Sequence, residues 1–279
     1  MRVAFLSNYF NHHQKPVSDA LMSGTAQYTF ISTQKLDVER KALGWTSDTD
    51  VPYVCTADGT AEYAVLRQSD VVIVGSAPEA LAQWAARRCK LLFRYSERPL
   101  KDGNPPAKFL PRFLKWHYYN PPWRKTYMLC ASAFTAGDYA KFGLFRGRCY
   151  KWGYFPETVR YPDVNALIDR KEKATILWCG RYLDWKHPDD VIARRLRDAG
   201  CCFRIEMIGS GEMEPRLRQL ASEAGLLDTS IQFLGAMSPE DVRRHMGKAG
   251  IYLFTSDRQE GWGAVLNEAM NSGCAVVAG

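Results

Sequence analysis

The chain has 279 residues, of which 46% are hydrophobic and 24% are charged, and its formal net charge is +7. A composition this apolar supports one large domain or two ordinary ones and excludes a disordered chain. The modest charge suits phosphorylated small molecules or an anionic membrane surface equally well and does not designate nucleic acid, so we predict no nucleic-acid partner.

Short apolar runs alternate with longer mixed segments through the first half of the chain. We predict strands at 2–8, 28–34, 70–77, 90–97 and 127–133, and helices around 16–23, 60–68, 78–88 and 134–142. The hydrophobicity of the runs is continuous rather than alternating, which is typical of parallel strands covered by helices on both faces.

The same alternation restarts after a segment at 157–173 that contains mixed charges and lacks a clear period. Strands are predicted at 174–181, 202–209, 231–237, 250–256 and 274–279, and helices at 187–199, 212–224, 239–248 and 263–272. Ser238 as N-cap, Pro239 at the first helical position and Asp241 three residues after the cap predict the start of the third helix.

These patterns predict an α/β fold class with two Rossmann-like domains that face a cleft. The expected divisions are a first domain at 1–156, a linker at 157–173 and a second domain at 174–279. Because the chain stops on a predicted strand without a covering helix, we expect the second domain to be incomplete and the sequence to be a fragment.

The cysteines indicate the compartment. None of the eight forms a CxxC pair or a Cys/His cluster with zinc spacing, and most lie in apolar runs. We therefore expect reduced core thiols in a cytoplasmic protein. The N-terminal apolar run is too short for a signal peptide, and no uninterrupted apolar stretch approaches the length of a membrane span.

The stretch EGWGAVLNEAM, residues 260–270, carries the strongest chemical signal. It follows a strand and a polar turn, so Gly261 and Gly263 expose the amides of a helix start at the carboxyl edge of a sheet, which suits a phosphate. Glu260 precedes the helix, where it could accept hydrogen bonds from a sugar. Glu268 lies further along among apolar neighbours, where an acid needs a partner, and it could reach a ribose diol.

A second group of residues follows the first strand of the second half, in CGRYLDWKHP. Arg181 and Lys186 lie in the loop after that strand, with Trp185 between them. Two cations opposite a helix start would bind a diphosphate. The Arg181 guanidinium would form two parallel hydrogen bonds to it, and the Lys186 ammonium would supply a compact positive charge. Surface cations are the alternative interpretation.

Together these motifs resemble the C-terminal domain of retaining GT-B glycosyltransferases of the group 1, or family 4, type. The resemblance covers about 174–279 and implies a nucleotide-sugar donor bound by this domain. By that resemblance Arg181 and Lys186 bind the donor diphosphate, Glu268 holds the ribose and Glu260 contacts the donor sugar. The remaining implied donor contacts are Gly261, Trp262 and Gly263, with Gly209 and Gly211 near the base or in a plain turn.

The N-terminal half resembles the family less closely. The family often has a glycine pair after the first strand, and this chain has Asn11, His12 and His13 in that loop instead. Two adjacent histidines are not expected to point the same way, so we expect at most one, His12 or His13, to act as an acid/base or to orient an acceptor. Polar surface residues are the alternative. Acceptor-side candidates at a further strand end are Ser96, Glu97 and Arg98, and Ser132 is expected to be a turn or N-cap residue.

No acid occurs between Asp102 and Asp138, where several cations interleave with aromatic residues. This segment could contact an anionic membrane or a lipid-diphosphate acceptor. The alternative is a helix whose aromatics pack on the sheet while its cations stay solvated. We favour this alternative because prolines at 111, 121 and 122 should break any long amphipathic helix.

No aspartate pair stands in a loop with metal-site character, since Asp48 and Asp50 lie in a polar connection. We predict no metal and no cofactor. The leading hypothesis is a retaining, metal-independent hexosyltransferase of polysaccharide biosynthesis, cytoplasmic or peripheral at the inner membrane face, acting on a glycan or lipid-linked acceptor. The alternatives are a sugar-nucleotide epimerase, a phosphorylase and a non-catalytic nucleotide-sugar-binding protein. A dinucleotide oxidoreductase is disfavoured because the first strand lacks GxGxxG.

Overall fold

The computed structural model describes residues 1–25, 27–36, 38, 41, 51–192 and 200–279. The described residues form two compact units. The N-terminal unit contains Met1–Leu36 and 51–155, and the C-terminal unit contains Pro156–Gly279. Each unit is built around one parallel sheet, as the continuous apolar runs predict.

The sheet of the N-terminal unit has seven strands in the order β3-β2-β1-β4-β5-β6-β7, and every pairing is parallel. This is a doubly wound order in which the direction of winding reverses between β1 and β4. The strands are β1 (Arg2–Ser7), β2 (Gln27–Ser32), β3 (Val54–Thr56), β4 (Val71–Val74), β5 (Leu91–Ser96), β6 (Thr126–Cys130) and β7 (Cys149–Lys151).

Helices cover both faces of this sheet, so its central strands β1 and β4 are buried on both sides. On β1, Ala4 and Leu6 pack into one apolar cluster while Val3 and Phe5 pack into another, as the two-residue period of a strand requires. The helices are α1 (Lys15–Gly24), α2 (Ala61–Gln68), α3 (Glu79–Ala86), α4 (Pro106–Tyr119) and α5 (Thr135–Ala140).

Helix α4 confirms the expected helix with Phe113 and Trp116 packed and its lysines exposed, but Pro111 does not limit its length as expected. It runs for 14 residues with Pro111 inside it. Pro106 occupies the first turn, where its fixed φ and missing N–H favour a helix start. Pro111 removes only one internal hydrogen bond, and Phe113 and Trp116 hold the helix on an apolar cluster that includes Phe142. The spacing of these aromatic residues was the signal that indicated the helix.

The sheet of the C-terminal unit has five parallel strands in the order β10-β9-β8-β11-β12. Its winding reverses between β8 and β11. The strands are β8 (Glu172–Cys179), β9 (Arg204–Ile208), β10 (Ile231–Gly235), β11 (Ala249–Phe254) and β12 (Ala275–Ala278), and the helices are α6 (Val164–Asp169), α7 (Glu214–Glu223), α8 (Pro239–Lys248) and α9 (Ala264–Asn271).

The start of α8 confirms the prediction made from the SPED sequence. Ser238 is the N-cap and its hydroxyl accepts a hydrogen bond from the amide of Asp241 at 3.1 Å. The same hydroxyl donates to the Asp241 carboxylate at 2.8 Å, so the side chains of Ser238 and Asp241 hold each other in place at the helix start.

Other elements differ from the predictions. The short strands β3 and β7 and helix α6 were not predicted, and α6 lies inside the expected linker 157–173. Of the predicted helix 187–199, residues 193–199 lie outside the described residues, and 3₁₀ turns occupy Asp184–Lys186 and Pro188–Val191. Among the described residues, no helix combines the length and apolar character needed to cross a bilayer.

The cysteines are all free thiols. The expectation that they lie in the core is wrong for most of them. Only Cys130 and Cys274 are buried, whereas Cys201 and Cys202 are exposed. Cysteine in an apolar run is a poor guide to burial here because several of these runs end at the surface, where the strand meets its loop.

Candidate functional site

The candidate residues of the C-terminal unit meet at the carboxyl edge of its sheet. Strands β8 and β11 are neighbours, and the chain leaves them through the loops 180–187 and 255–263. The winding of the sheet reverses between these two strands, and open α/β sheets bind ligands in the crevice that such a reversal creates.

Lys186 and Glu260 connect the two loops directly. The Lys186 Nζ donates to Glu260 Oε2 at 2.6 Å, and both side chains are largely shielded, with 13% and 21% of their surface exposed. The hydroxyl of Ser256 donates to the same carboxylate oxygen at 3.1 Å. A shielded carboxylate and ammonium attract each other strongly, so each holds the other in one place.

Three bonds that the sequence analysis missed position Lys186. The Thr255 hydroxyl donates to the Lys186 carbonyl at 2.6 Å and accepts from the Trp178 indole N–H at 2.9 Å. The amide of Asp257 donates to the carbonyl of Trp185 at 3.0 Å. The polar pair Thr-Ser directly after the apolar strand β11 was the available signal for this arrangement.

Arg181 is half-buried in the loop after β8, and its backbone is fixed on both sides. The amide of Gly180 donates to the carbonyl of Ile208 at 3.0 Å, and the amide of Tyr182 donates to the carbonyl of Ser210 at 2.9 Å. Arg181 and Lys186 therefore start from the same rigid loop.

The backbone explains why glycine occupies positions 209 and 211, a question that the sequence left open. They have φ of 141° and 156°, values that residues with a side chain rarely adopt. A Cβ on Gly209 would overlap the carbonyl oxygen of Gly180, and one on Gly211 would lie 2.6 Å from that of Tyr182. These glycines allow the loop after β9 to lie directly against the loop that carries Arg181.

The glycine-flanked tryptophan forms the approach to helix α9. Gly263 is the N-cap with φ of 76°, and a Cβ there would lie 2.8 Å from the ring of Phe254. The helix begins at Ala264, one residue later than the predicted range 263–272. Within the described residues, the amides of Ala264 and Val265 have no hydrogen-bond acceptor, so they are available at the positive end of the helix.

Two buried polar atoms near this turn lack partners among the described residues. They are the indole Nε1 of Trp262 and Oε1 of Glu268. Glu268 is only 8% exposed, and burial raises its pKa to about 7, although Arg243 opposes the shift. Buried polar groups are normally paired, so two unpaired ones indicate that a ligand supplies the missing partners.

The C-terminal unit thus combines complementary groups at one sheet edge. Lys186 and the first amides of α9 favour negative charge, while Glu268 accepts hydrogen bonds and Trp262 donates one. Such a set is suited to a ligand that carries both phosphate and hydroxyl groups.

In the N-terminal unit, the loop after β1 is organised by Asn11. This residue is 4% exposed, its side-chain Oδ1 accepts from the His13 amide at 2.8 Å, and its carbonyl accepts from the Gln14 amide. The rings of His12 and His13 lie 4.0 Å apart with a tilt of 45°, so the expectation that the two side chains point apart is wrong. The tight turn around Asn11 brings them together.

The acceptor-side candidates after β5 make several internal contacts. The Ser96 hydroxyl donates to the Glu97 carbonyl at 2.7 Å. The Glu97 carboxylate accepts from the hydroxyl of Tyr154 and from Lys101, each at 2.6 Å. Tyr154 was not among the predicted residues.

Arg98 has a structural role. Its Nε donates to Asp138 Oδ2 at 3.1 Å, and that aspartate is 2% exposed and also binds the amide of Leu100. Ser132 is a turn residue as expected, because its hydroxyl accepts from the Phe134 amide at 3.3 Å. The aspartates considered for a metal, Asp48 and Asp50, lie outside the described residues.

Residues 163–279 match the family model of the glycosyl transferases group 1. A phosphatidyl-myo-inositol mannosyltransferase of Mycobacterium leprae is 34% identical over 126 residues, which cover 44% of this chain and 30% of the relative. The amylovoran biosynthesis glycosyltransferase AmsK of Erwinia amylovora is 32% identical over 89 residues, which cover 30% of this chain and 22% of the relative. The chain thus spans less than a third of the length of these curated relatives.

Solved structures of similar fold cover the whole chain. Alr3699/HepE of Anabaena, crystallised with UDP, aligns over 100% of this chain and 80% of its own with a TM-score of 0.68 and 16% identity. The lipopolysaccharide outer core galactosyltransferase WaaB, in its apo form, aligns over the same 100% and 80% with a TM-score of 0.61 and 14% identity. The likeness confirms the predicted fold class, an α/β GT-B fold with two Rossmann-like parts.

Proposed function

We propose that the protein transfers a sugar from a nucleotide-diphosphate donor to an acceptor hydroxyl, because residues 163–279 match the family model of the glycosyl transferases group 1. The observation that carries the proposal is the pair of unpartnered buried atoms, Trp262 Nε1 and Glu268 Oε1, beside the start of α9. A nucleotide sugar offers what these groups lack, since its ribose and sugar hydroxyls both donate and accept.

The proposed chemistry follows from the charges at the sheet edge. When the bond between the anomeric carbon and the phosphate oxygen breaks, the bonding electrons stay on the diphosphate, whose negative charge grows. Arg181, Lys186 and the amides of Ala264 and Val265 would stabilise that charge. Fixed donors of this kind cost no reorganisation during the reaction, and the bonds from Thr255 and Asp257 supply that rigidity.

The finer features of the proposal rest on the family resemblance. We take the transfer to be retaining, with the acceptor hydroxyl attacking the face that the leaving group vacates and passing its proton to a phosphate oxygen of the leaving diphosphate. The transfer needs no metal in this proposal because cations and amides carry the charge. Glu260 is assigned to the donor sugar, and the acceptor side is assigned to the N-terminal unit, with His12 as the acid/base candidate. The acceptor is a glycan or a lipid-linked hydroxyl, as expected for a cytoplasmic enzyme of polysaccharide assembly.

Saturation-transfer NMR against UDP-, GDP- and ADP-sugars tests the donor site. UDP-sugars come first in the panel because the structural neighbour from Anabaena binds UDP. We expect saturation of ribose and sugar protons for donors of one base and weaker signals in the Glu268→Ala variant. The outcome that contradicts the proposal is no signal from any nucleotide sugar.

A product assay with the same donor then separates the alternatives. A transferase forms a glycoside only when an acceptor is present. An epimerase releases free nucleotide without an acceptor, and a phosphorylase requires inorganic phosphate. A non-catalytic binding protein gives NMR signals and no product of any kind.

The raised pKa of Glu268 predicts that donor binding depends on pH. Burial moves the pKa of the unliganded carboxyl to about 7, so the group is mostly neutral at pH 6. If the ribose diol binds the ionised form, affinity rises with pH through 7, and Kd measured by calorimetry should be about tenfold weaker at pH 6 than at pH 8. The Glu268→Gln variant should bind more weakly and with a flat pH profile.

Folding supplies the control for that prediction. The pKa of Glu268 is higher in the folded chain than its ordinary 4.5, so the folded state binds the extra proton between about pH 4.5 and 7. The stability of the unliganded chain should therefore fall as pH rises through that window, and Glu268→Gln should remove this fall. A Gln variant whose unfolding still tracks pH in the same way would show that another group causes it.

A further inference from the structure

Helix α4 of the N-terminal unit presents an apolar face to solvent. Leu110, Leu114 and Tyr118 follow one another at intervals of four residues and therefore lie on the same side of the helix. They are 62%, 60% and 75% exposed. The opposite side holds the helix on its unit, because Phe113 and Trp116 pack on the cluster around Phe142.

This exposed face is unusual for a helix of a folded domain. Helix α4 has no fully buried residue, whereas solvent-facing sides of surface helices normally carry polar residues. The turn that follows adds Trp123, which is 83% exposed. A row of large apolar side chains in water marks a surface that contacts something else.

Cations border the apolar row. Lys108 and Lys115 are seven residues apart, so they lie along one line beside it, and Lys125 follows in the next segment. All three are exposed, and none forms an ion pair within the part of the chain that the structure describes. No acid occurs between Asp102 and Asp138 to offset their charge.

We propose that the α4 surface, formed by Leu110, Leu114, Tyr118 and Trp123 with Lys108, Lys115 and Lys125, docks on an anionic lipid bilayer. The apolar row lies in the boundary between headgroups and acyl chains, with the helix parallel to the membrane plane. The lysines contact anionic headgroups, and the tyrosine and tryptophan place amphipathic rings at headgroup depth. The unbroken positive charge favours anionic lipid over another protein surface.

Co-sedimentation of the full chain with vesicles tests the proposal. The vesicles contain phosphatidylcholine alone, or phosphatidylcholine mixed equally with phosphatidylglycerol. We expect binding to the anionic vesicles that weakens with added salt, and little binding to the neutral ones. Equal binding to both, or to neither, would overturn the proposal.

Two double variants separate the apolar and the electrostatic contributions. Lys108→Gln with Lys115→Gln should weaken binding about fivefold for each lysine. Leu110→Ser with Leu114→Ser should weaken it at least about tenfold, because two leucines no longer enter the bilayer. These side chains are exposed, so the thermal unfolding of both variants should match that of the unmodified chain. Variants that still bind like the unmodified chain count against the surface.

Matched substitutions elsewhere give the controls. Val164→Ser with Ile168→Ser changes two exposed apolar residues of α6, which are 56% and 47% exposed. Lys173→Gln with Lys248→Gln removes the same charge from the C-terminal unit. Neither pair should alter vesicle binding.

Sedimentation velocity tests whether the surface contacts protein instead. If the α4 variants abolish self-association of the chain and leave vesicle binding unchanged, the surface contacts protein and the lipid proposal fails. The readout is lipid binding rather than turnover, so it stands apart from the transferase proposal.

Discussion

The alanine variant of Lys186 is expected to transfer sugar about 100- to 1000-fold more slowly than the unmodified chain under the proposed function, because it lacks the cation assigned to the leaving diphosphate. The charge on that diphosphate is larger in the transition state than in the bound donor. The loss should therefore appear mainly in kcat, with a smaller rise in KM for the donor. Steady-state kinetics with a donor identified by NMR measure both constants.

The same substitution also acts on Glu260. Without Lys186 the carboxylate, which is 21% exposed, keeps only the Ser256 hydroxyl of the two side-chain donors that reach it. We expect a loss of about 1–3 kcal/mol in the free energy of unfolding from this effect. Arg181→Ala should lower turnover comparably, because it removes the second cation from the same loop.

Lys90→Ala is a matched control for the charge itself. Lys90 is 82% exposed and pairs with Asp70 at 3.0 Å, so its removal deletes one lysine and one surface ion pair. It should leave transfer unchanged and cost less than about 1 kcal/mol in stability. Lys186→Ala with near-normal kcat would refute the role assigned to this lysine, and an equal loss in Lys90→Ala would show that net charge is responsible.

The contact between Lys186 and Glu260 marks the limit of sequence reasoning at this site. Strand order and the carboxyl ends of β8 and β11 place both residues at one sheet edge, and that much follows from the hydrophobic pattern. Their direct bond joins positions 74 residues apart. Thr255 fixes the Lys186 carbonyl beside this bond, and the Thr-Ser pair after β11 signals a polar turn without specifying which carbonyl it reaches.

Helices α8 and α4 differ in the same way: the start of α8 is determined by neighbouring residues, whereas α4 is determined by tertiary packing. The cap of α8 was predicted to the residue because Ser238, Pro239 and Asp241 act on their own backbone neighbours. A helix with its aromatics on the sheet was expected in the segment of α4, but its bounds were not predicted, because Pro111 argued against a long helix. Packing on Phe142 decides the outcome there, and a single missing hydrogen bond does not outweigh it.

Gly209→Ala should destabilise the chain by more than about 3 kcal/mol, the largest effect on folding that we expect from any single methyl group. Alanine disfavours a φ of 141°, and its Cβ would overlap the carbonyl oxygen of Gly180. The atom in the way is backbone, held by the bond from the Gly180 amide to Ile208, so it cannot turn aside as a side chain does. Thermal unfolding should shift downward by roughly 10 °C.

Gly247→Ala adds the same methyl group but should stabilise the chain, whereas Gly209→Ala should destabilise it. Gly247 lies inside α8, and a Cβ there meets nothing within 4 Å. Alanine should stabilise that helix by up to about 1 kcal/mol.

Comparing the unfolding temperature of Gly209→Ala with its donor binding separates two explanations of Gly209. If Gly209→Ala unfolds at the temperature of the unmodified chain and yet loses donor binding, the glycine serves a ligand that passes close to the backbone. If both fall together, it serves the close contact between the loops that follow β8 and β9, and weaker donor binding is a consequence of displacing Arg181.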